Sequence, residues 1–246
     1  MYFCIFLKKQ NLIMKKVAFH TLGCKLNFAE TSTMARSLTE HGYEQVGFGE
    51  KADVYVINSC SVTSKADKKS EQAIRKARKL NPSARVIMVG CYAQLQPDKI
   101  AGNTGADLVL GNTGKSSLYD HLEKPDDHQD LENHGCTRDP SGDFFAAYSF
   151  GDRTRSFLKV QDGCDYGCAY CTIPMARGQS RNLPMAEIIR EANEIAQKGV
   201  KEIILTGVNV GDFGKSTDES FPELIRALED VPGIERYRIS SIEPNL

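Results

Sequence analysis

Between Lys15 and about Glu123, short apolar runs alternate with stretches in which apolar residues recur every three to four positions. KKVAFHTLG, ADVYVINS, ARVIMVG and ADLVLG are dense enough in Val, Ile, Leu and Phe to be strands of a buried sheet. Between them, Phe28–His41 and Ser64–Leu80 carry the helical period. Strands separated by helices build a parallel sheet through right-handed crossovers, so residues 15–123 are expected to form an N-terminal doubly wound α/β domain.

From Lys124 the pattern lapses. KPDDHQDLENHGCTRDPSGD is acidic, rich in turn formers and without an apolar period, and residues 124–147 read as a linker. A second α/β series then runs from 148 to 246: SFLKVQDG, a helix from Pro184 to Lys198, KEIILTGVN, a helix from Pro222 to Asp230, and RYRISSIEP. It reads as the first half of a partial (βα) barrel. Three strands cannot close a barrel, and an open sheet leaves unpaired backbone at its edge, so the chain is expected to be incomplete at its C-terminus. Residues 1–14 read as a loose extension, because MKKVAFH at Met14 looks like a natural start for the first strand.

Composition narrows the class without choosing a function. With 246 residues, 41% hydrophobic and 26% charged, the chain can bury a sizeable core and has the balance of a soluble globular protein. The apolar run in MYFCIFLKK is too short for a signal or a membrane span, and no other stretch is longer. The expectation is a cytoplasmic protein with no membrane partner. A net charge of -1 sets up no field to draw in a polyanion, and does not exclude one. Eight cysteines change the picture more, because in a reducing compartment they are metal ligands or catalytic groups rather than disulfides.

Cys24, Cys60 and Cys91 each follow an apolar strand of the first unit. In a parallel sheet the carboxyl ends of the strands share one edge, where open α/β folds build ligand sites. Three thiolates there could hold an iron–sulfur cluster with one iron open to another ligand. The alternative is three small buried side chains filling strand ends. CDYGCAYC, which places Cys164, Cys168 and Cys171, matches neither the paired CxxC of structural zinc sites nor the CxxCxxC ferredoxin run. A compact loop with three thiolates leaves one iron of a four-iron cluster free for a substrate or cofactor.

CDYGCAYC has the CxxxCxxC form of the radical S-adenosylmethionine superfamily, including the aromatic Tyr170 before the last cysteine. Together with HTLGCKLN, NSCSVT, VGCYAQ, GCDYGCAYCTIPMARG and LTGVNVG, it resembles the methylthiotransferases of that superfamily, and most of all those acting on threonylcarbamoyladenosine in tRNA. The resemblance covers nearly everything from Met14 onward. It implies two 4Fe-4S clusters and S-adenosyl-L-methionine (SAM) as cofactors. Cys164, Cys168 and Cys171 would bind the radical-generating cluster, whose open iron chelates SAM. Cys24, Cys60 and Cys91 would hold an auxiliary cluster carrying the sulfur to be inserted. The implied substrate is a modified adenine beside the tRNA anticodon, with an electron donor of flavodoxin or ferredoxin type and a sulfur donor as further partners. Two other readings stay open: a methylthiotransferase acting on a ribosomal-protein aspartate, and a non-catalytic electron-transfer or scaffold fragment. Relatives carry later barrel strands and an RNA-binding domain, so this chain alone is expected to be inactive.

Supporting residues carry two readings each. By the resemblance Tyr170 lies beside the cofactor adenine; otherwise it packs to keep water off the cluster. Gly207, Val208 and Asn209 end the second strand of the barrel, where relatives place backbone against the methionyl amine, or they form an ordinary strand-end turn. Arg177, Gly178, Ser241 and Glu243 are at or beyond strand ends without an assigned ligand contact. The basic stretch 65–79 either tracks tRNA phosphates or is a solvated helix face with Ala73, Ile74, Ala77 and Leu80 inward.

Overall fold

The computed structural model describes residues 14–61, 63–123, 140, 142–151 and 154–243. Residues 1–13 of the proposed N-terminal extension and residues 124–139 of the linker lie outside the described residues, as do Cys4 and Cys136.

The first unit runs β1 (Lys16–Thr21), α1 (Lys25–Glu40), β2 (Glu44–Val46), β3 (Val54–Ser59), α2 (Ser64–Leu80), β4 (Arg85–Gly90), α3 (Cys91–Leu95), α4 (Pro97–Asn103), β5 (Leu108–Leu110), a 3₁₀ turn at Thr113–Lys115 and α5 (Leu118–Glu123). All its strands pair in parallel, in the order β2-β1-β3-β4-β5. The chain leaves β1 toward one edge and β3 toward the other, so right-handed crossovers put helices on opposite faces. On one face Met34 and Leu38 of α1 pack with Leu118 and Leu122 of α5; on the other, Ala73, Ile74 and Ala77 of α2 pack with Ile100 of α4. The sheet is doubly wound, as expected, with one strand more than the pattern gives: β2 is EQV, a polar three-residue edge strand with no apolar run.

The second unit runs β6 (Ser156–Lys159), α6 (Ile173–Arg177), α7 (Met185–Gln197), β7 (Glu202–Thr206), a 3₁₀ turn at Val210–Asp212, α8 (Phe221–Glu229) and β8 (Arg236–Ile239). Its sheet is parallel, in the order β6-β7-β8. Ile188, Ala192 and Ile195 of α7 and Leu224 and Leu228 of α8 cover one face. Ser220 and Glu223 form a reciprocal capping box that starts α8.

The two units share α1. Its sheet-facing stripe packs on β1 and β3, while Phe28 and Ala29 turn the other way onto Phe157 of β6 and Ile204 of β7. Phe28 and Phe157 meet edge to face at 5.6 Å. Ser32, Thr33 and Arg36 on the same side bond the backbone of Tyr148 and Phe150. A helix buried on two sides carries small and polar residues where a surface helix would carry solvated charge, and this is why α1 buries Asn27, Glu30, Thr31 and Ser32.

Candidate functional site

β1, β3 and β4 end along one edge, and β1 and β3 flank the point where the strand order reverses. Cys24 is the N-cap of α1, Cys60 follows β3 directly and Cys91 is the first residue of α3. Side chains tie these ends together. Asn27 Nδ2 donates to the Leu22 carbonyl at 2.7 Å and the Ser59 carbonyl at 3.0 Å, and Ser59 Oγ donates to the Val89 carbonyl at 2.6 Å. The turn carrying Cys24 lies against Cys60, since a Cβ on Gly23 would fall 2.8 Å from Cys60 Sγ. Cys91 Sγ accepts from Asn112 Nδ2 at 3.6 Å. Cys60 and Cys91 are buried and Cys24 is exposed.

The second set sits in the loop between β6 and α6. Gly163 opens this loop at φ +72°, and a Cβ there would stand 1.9 Å from the Gln179 carbonyl, so the bend admits only glycine. Cys164 N–H donates to the Gly178 carbonyl at 3.0 Å, and Asp162 and Arg181 exchange two backbone bonds at 2.9 Å. Ser180 N–H donates to Asp165 Oδ1 at 2.9 Å. Cys164 is half-buried; Cys168 and Cys171 are exposed. Burial pushes the Cys164 thiol up, and the Asp212 carboxylate with the neighbouring Cys171 and Cys168 adds to that.

Among the described residues no three His, Cys, Asp or Glu side chains are gathered closely enough to hold a single metal ion. A four-iron cluster asks for something else, because each thiolate binds its own iron and the sulfurs stand further apart than the ligands of one ion. The charge around the thiols fits such a group. Arg177 is fully buried, and its guanidinium lies within electrostatic reach of Cys91 and Cys24. Glu30 Oε1 accepts from Lys159 Nζ at 2.8 Å and Arg177 Nη1 at 2.9 Å, and Glu30 Oε2 accepts from Lys115 Nζ at 2.6 Å. Asp162 pairs with Arg177 at 2.9 Å and Lys159 at 2.7 Å. Arg177 Nη2 also donates to Asn27 Oδ1 at 2.7 Å. Burial alone would raise Glu30, yet Arg177, Lys115 and Lys159 outweigh it and hold the carboxyl well below the usual carboxylate range. Burial pulls Lys115 down, opposed by Glu30. With Arg181 at 3.6 Å from Asp162, four cationic side chains thus face two carboxylates, leaving positive charge in excess for an anionic cluster to offset.

The stretch Gly207–Asn209 leaves β7 at the same edge of the second sheet. Val208 and Asn209 donate their N–H groups to Gln161 Oε1, both at 2.9 Å. Asn209 is buried, with its Nδ2 lacking any hydrogen-bond partner among the described residues, a donor fit for a polar ligand. Asn209 Oδ1 accepts from Glu243 N–H at 3.4 Å, and the Ser241 carbonyl accepts from Val210 N–H at 2.9 Å. Tyr170 is 100% exposed and shields nothing in this structure. Arg177, expected at or beyond a strand end without an assigned ligand contact, is the last residue of α6 and the hub of the buried centre. Helix α2 turns Ala73, Ile74 and Ala77 inward, with Leu80 half-buried, and Lys65, Lys68, Lys69, Arg75, Lys76 and Lys79 outward. Sequence reasoning missed Asn27, Glu30, Lys115, Lys159, Gln161 and Asp162. The signal was there for Lys159, a lysine inside the apolar strand SFLKV, and for Glu30, one helical turn before Met34 on the buried face.

Residues 158–246 match the Radical SAM superfamily, and residues 16–111 match the family described as Uncharacterized protein family UPF0004. The chain thus carries a UPF0004 region followed by a Radical SAM region. It is 40% identical over 235 residues to the threonylcarbamoyladenosine tRNA methylthiotransferase MtaB of Bacillus subtilis (strain 168), covering 94% of this chain and 52% of that relative. With the MtaB protein of Thermotoga maritima it shares 41% over 232 residues, 93% of this chain and 52% of the relative. The chain therefore spans about half the length of the curated relatives it matches. A solved radical S-adenosylmethionine methyltransferase, TsrM from Kitasatospora setae, has a similar fold with a TM-score of 0.54, at 14% identity over 87% of this chain and 52% of that one. Among the described residues no helix is long and apolar enough to cross a membrane.

Proposed function

We propose that the protein acts as a radical SAM methylthiotransferase that places a methylthio group on a threonylcarbamoyladenosine base beside the tRNA anticodon. One observation carries this reading: there are two separate three-cysteine sets, one at strand ends within electrostatic reach of the buried Arg177, the other in the loop bracketed by the Asp162–Arg177 ion pair, and the ionic centre has positive charge to spare. The curated relatives named for this reaction support the substrate class.

Cys164, Cys168 and Cys171 would hold one 4Fe-4S cluster, and Cys24, Cys60 and Cys91 an auxiliary one. When bound, the first supplies reductive cleavage of SAM to a carbon radical and the second supplies sulfur. The protein's own residues do the rest. Arg177, Lys115 and Lys159 balance thiolate charge, and Gly163 shapes the loop that presents three thiols. Gly207, Val208 and Asn209 supply the polar surface for the methionyl end of SAM, with Asn209 Nδ2 free to donate. Electrons would come from a flavodoxin- or ferredoxin-type donor, sulfur from a separate donor, and tRNA is the partner substrate.

The test is anaerobic reconstitution with iron and sulfide, followed by iron analysis. Two clusters per chain are expected, and the combined change of Cys164, Cys168 and Cys171 to Ala should leave about half the iron. Loss of all iron in that variant, or zinc in both sets, sinks the assignment.

A further inference from the structure

Gln161 belongs to neither cysteine set, yet it joins the cluster loop to the end of β7. It lies two residues past β6 and is fully buried. Its Oε1 accepts from Val208 N–H and Asn209 N–H, each at 2.9 Å. On the other side its Nε2 faces the Gly163 carbonyl at 2.7 Å, with the Asp162 carbonyl and Ser180 Oγ at 3.0 Å. Two N–H groups on one side and two carbonyls on the other fix which way the amide is turned. Gly207 makes the room: a Cβ there would stand 2.8 Å from Gln161 Oε1, 3.1 Å from Gln161 Cβ and 2.9 Å from Val210 Cγ1.

The arrangement has a geometric consequence. Every described peptide bond is trans, and in a trans unit the C=O points opposite to the N–H it is bonded to. Since the N–H groups of Val208 and Asn209 both aim at Gln161, the carbonyls of Gly207 and Val208 both aim away from it. Neither of these carbonyls accepts a hydrogen bond from the described residues. One glutamine thus turns two consecutive backbone acceptors to the same side, an arrangement that suits an ammonium donor.

We propose that Gln161 is a positioning residue for SAM. It holds the Gly207–Asn209 backbone so that the Gly207 and Val208 carbonyls face the methionyl amine, and it ties that backbone to Gly163, the first residue of the cluster loop. The amine site and the iron site then keep a fixed spacing, which a ligand that touches both requires. This role rests on the proposed function and adds to it a residue that does not itself touch the cofactor.

The test uses the reconstituted full chain, with Gln161→Met, Gln161→Glu and Gly207→Ala. Met keeps the volume and removes both kinds of bond; Glu keeps the oxygens that accept from Val208 and Asn209. Gly207→Ala pushes the glutamine aside from the opposite direction. Three quantities are read: hydrogen exchange at the amides of Val208 and Asn209 without SAM, affinity for SAM, and affinity for 5′-methylthioadenosine, which lacks the methionyl end. Gln161→Met and Gly207→Ala should speed exchange at both amides and weaken SAM by about tenfold or more, the loss of roughly one ammonium hydrogen bond. Methylthioadenosine affinity and iron content should hold, and Gln161→Glu should recover part of the amide protection, since it keeps the acceptor for Val208 and Asn209 but sets its second oxygen against the Gly163 and Asp162 carbonyls. Unchanged SAM affinity in Gln161→Met, or equal loss for SAM and methylthioadenosine, overturns the proposal alone. A wild-type protein that carries its clusters and binds no SAM overturns the functional reading, and the proposal with it.

Discussion

Glu191 on α7 is a buried carboxylate whose Oε2 has no hydrogen-bond partner among the described residues. Burial pushes it up to about 7, with Arg190 and Arg36 opposing and Glu194 and Glu187 adding. The unfolded chain gives up this proton near 4.5, so the native protein holds it more tightly. The stabilisation is complete below that value and is lost as pH rises through about 7. At ~1.4 kcal/mol per unit this comes to about 3 kcal/mol. Urea unfolding at pH 5 and pH 8 should show that loss in the wild type, and Glu191→Gln should flatten it; a parallel pH dependence in the two proteins contradicts the account. The sequence alone shows Glu191 as one acid among several on an amphipathic helix. The six cysteines stand out in the sequence by their spacing and by the strands they follow, and the structure places Cys24, Cys60 and Cys91 at strand ends. Lys159 and Glu30 show in the sequence only as charges on apolar elements, because the partners of Glu30, which are Lys115, Lys159 and Arg177, come from distant segments that one sequence does not bring together.

Among the elements, α2 was readable to its bounds: Thr63 Oγ1 accepts from Ala66 N–H at 3.2 Å, and Arg78 and Lys79 close the last turn. α1 begins at Lys25 rather than Phe28, because Cys24 caps it and Asn27 is buried by its bonds to two strand ends, where a periodicity argument expects solvent. The five-residue α6 carries too little pattern to be seen, yet it brings Arg177 to the centre. The loop before it supplies the prediction at this scale. Gly163→Ala would force a Cβ into the Gln179 carbonyl at a positive φ, a change costing more than about 1 kcal/mol and borne by this loop. Iron content should fall by about half, with the cluster on Cys24, Cys60 and Cys91 retained. Full iron in the variant shows that the loop tolerates the bend without glycine.

On the scale of the whole molecule, the joint between the units is apolar around Phe28 and Phe157 and ionic around Glu30. Removing one member of a buried ion group costs about 3–5 kcal/mol, because the remaining charges stay buried without their counter-ion. Glu30→Gln should therefore loosen the second unit from the first. Calorimetry should turn a single cooperative transition into two, whereas Glu187→Gln on the exposed surface should leave one. A single transition in both variants contradicts a joint held by Glu30.

The centre also bears on the order of events during synthesis. Glu30 and Lys115 both belong to the first unit and pair with each other, so that unit can fold as it is made without burying a lone charge. Lys159, Asp162 and Arg177 are added later and bring one further positive charge. The ribosome must pass residue 177 before the centre can close. Until then Cys24, Cys60 and Cys91 are already made while Arg177 is not, so a cluster delivered early would meet the thiols before the cation that offsets its charge.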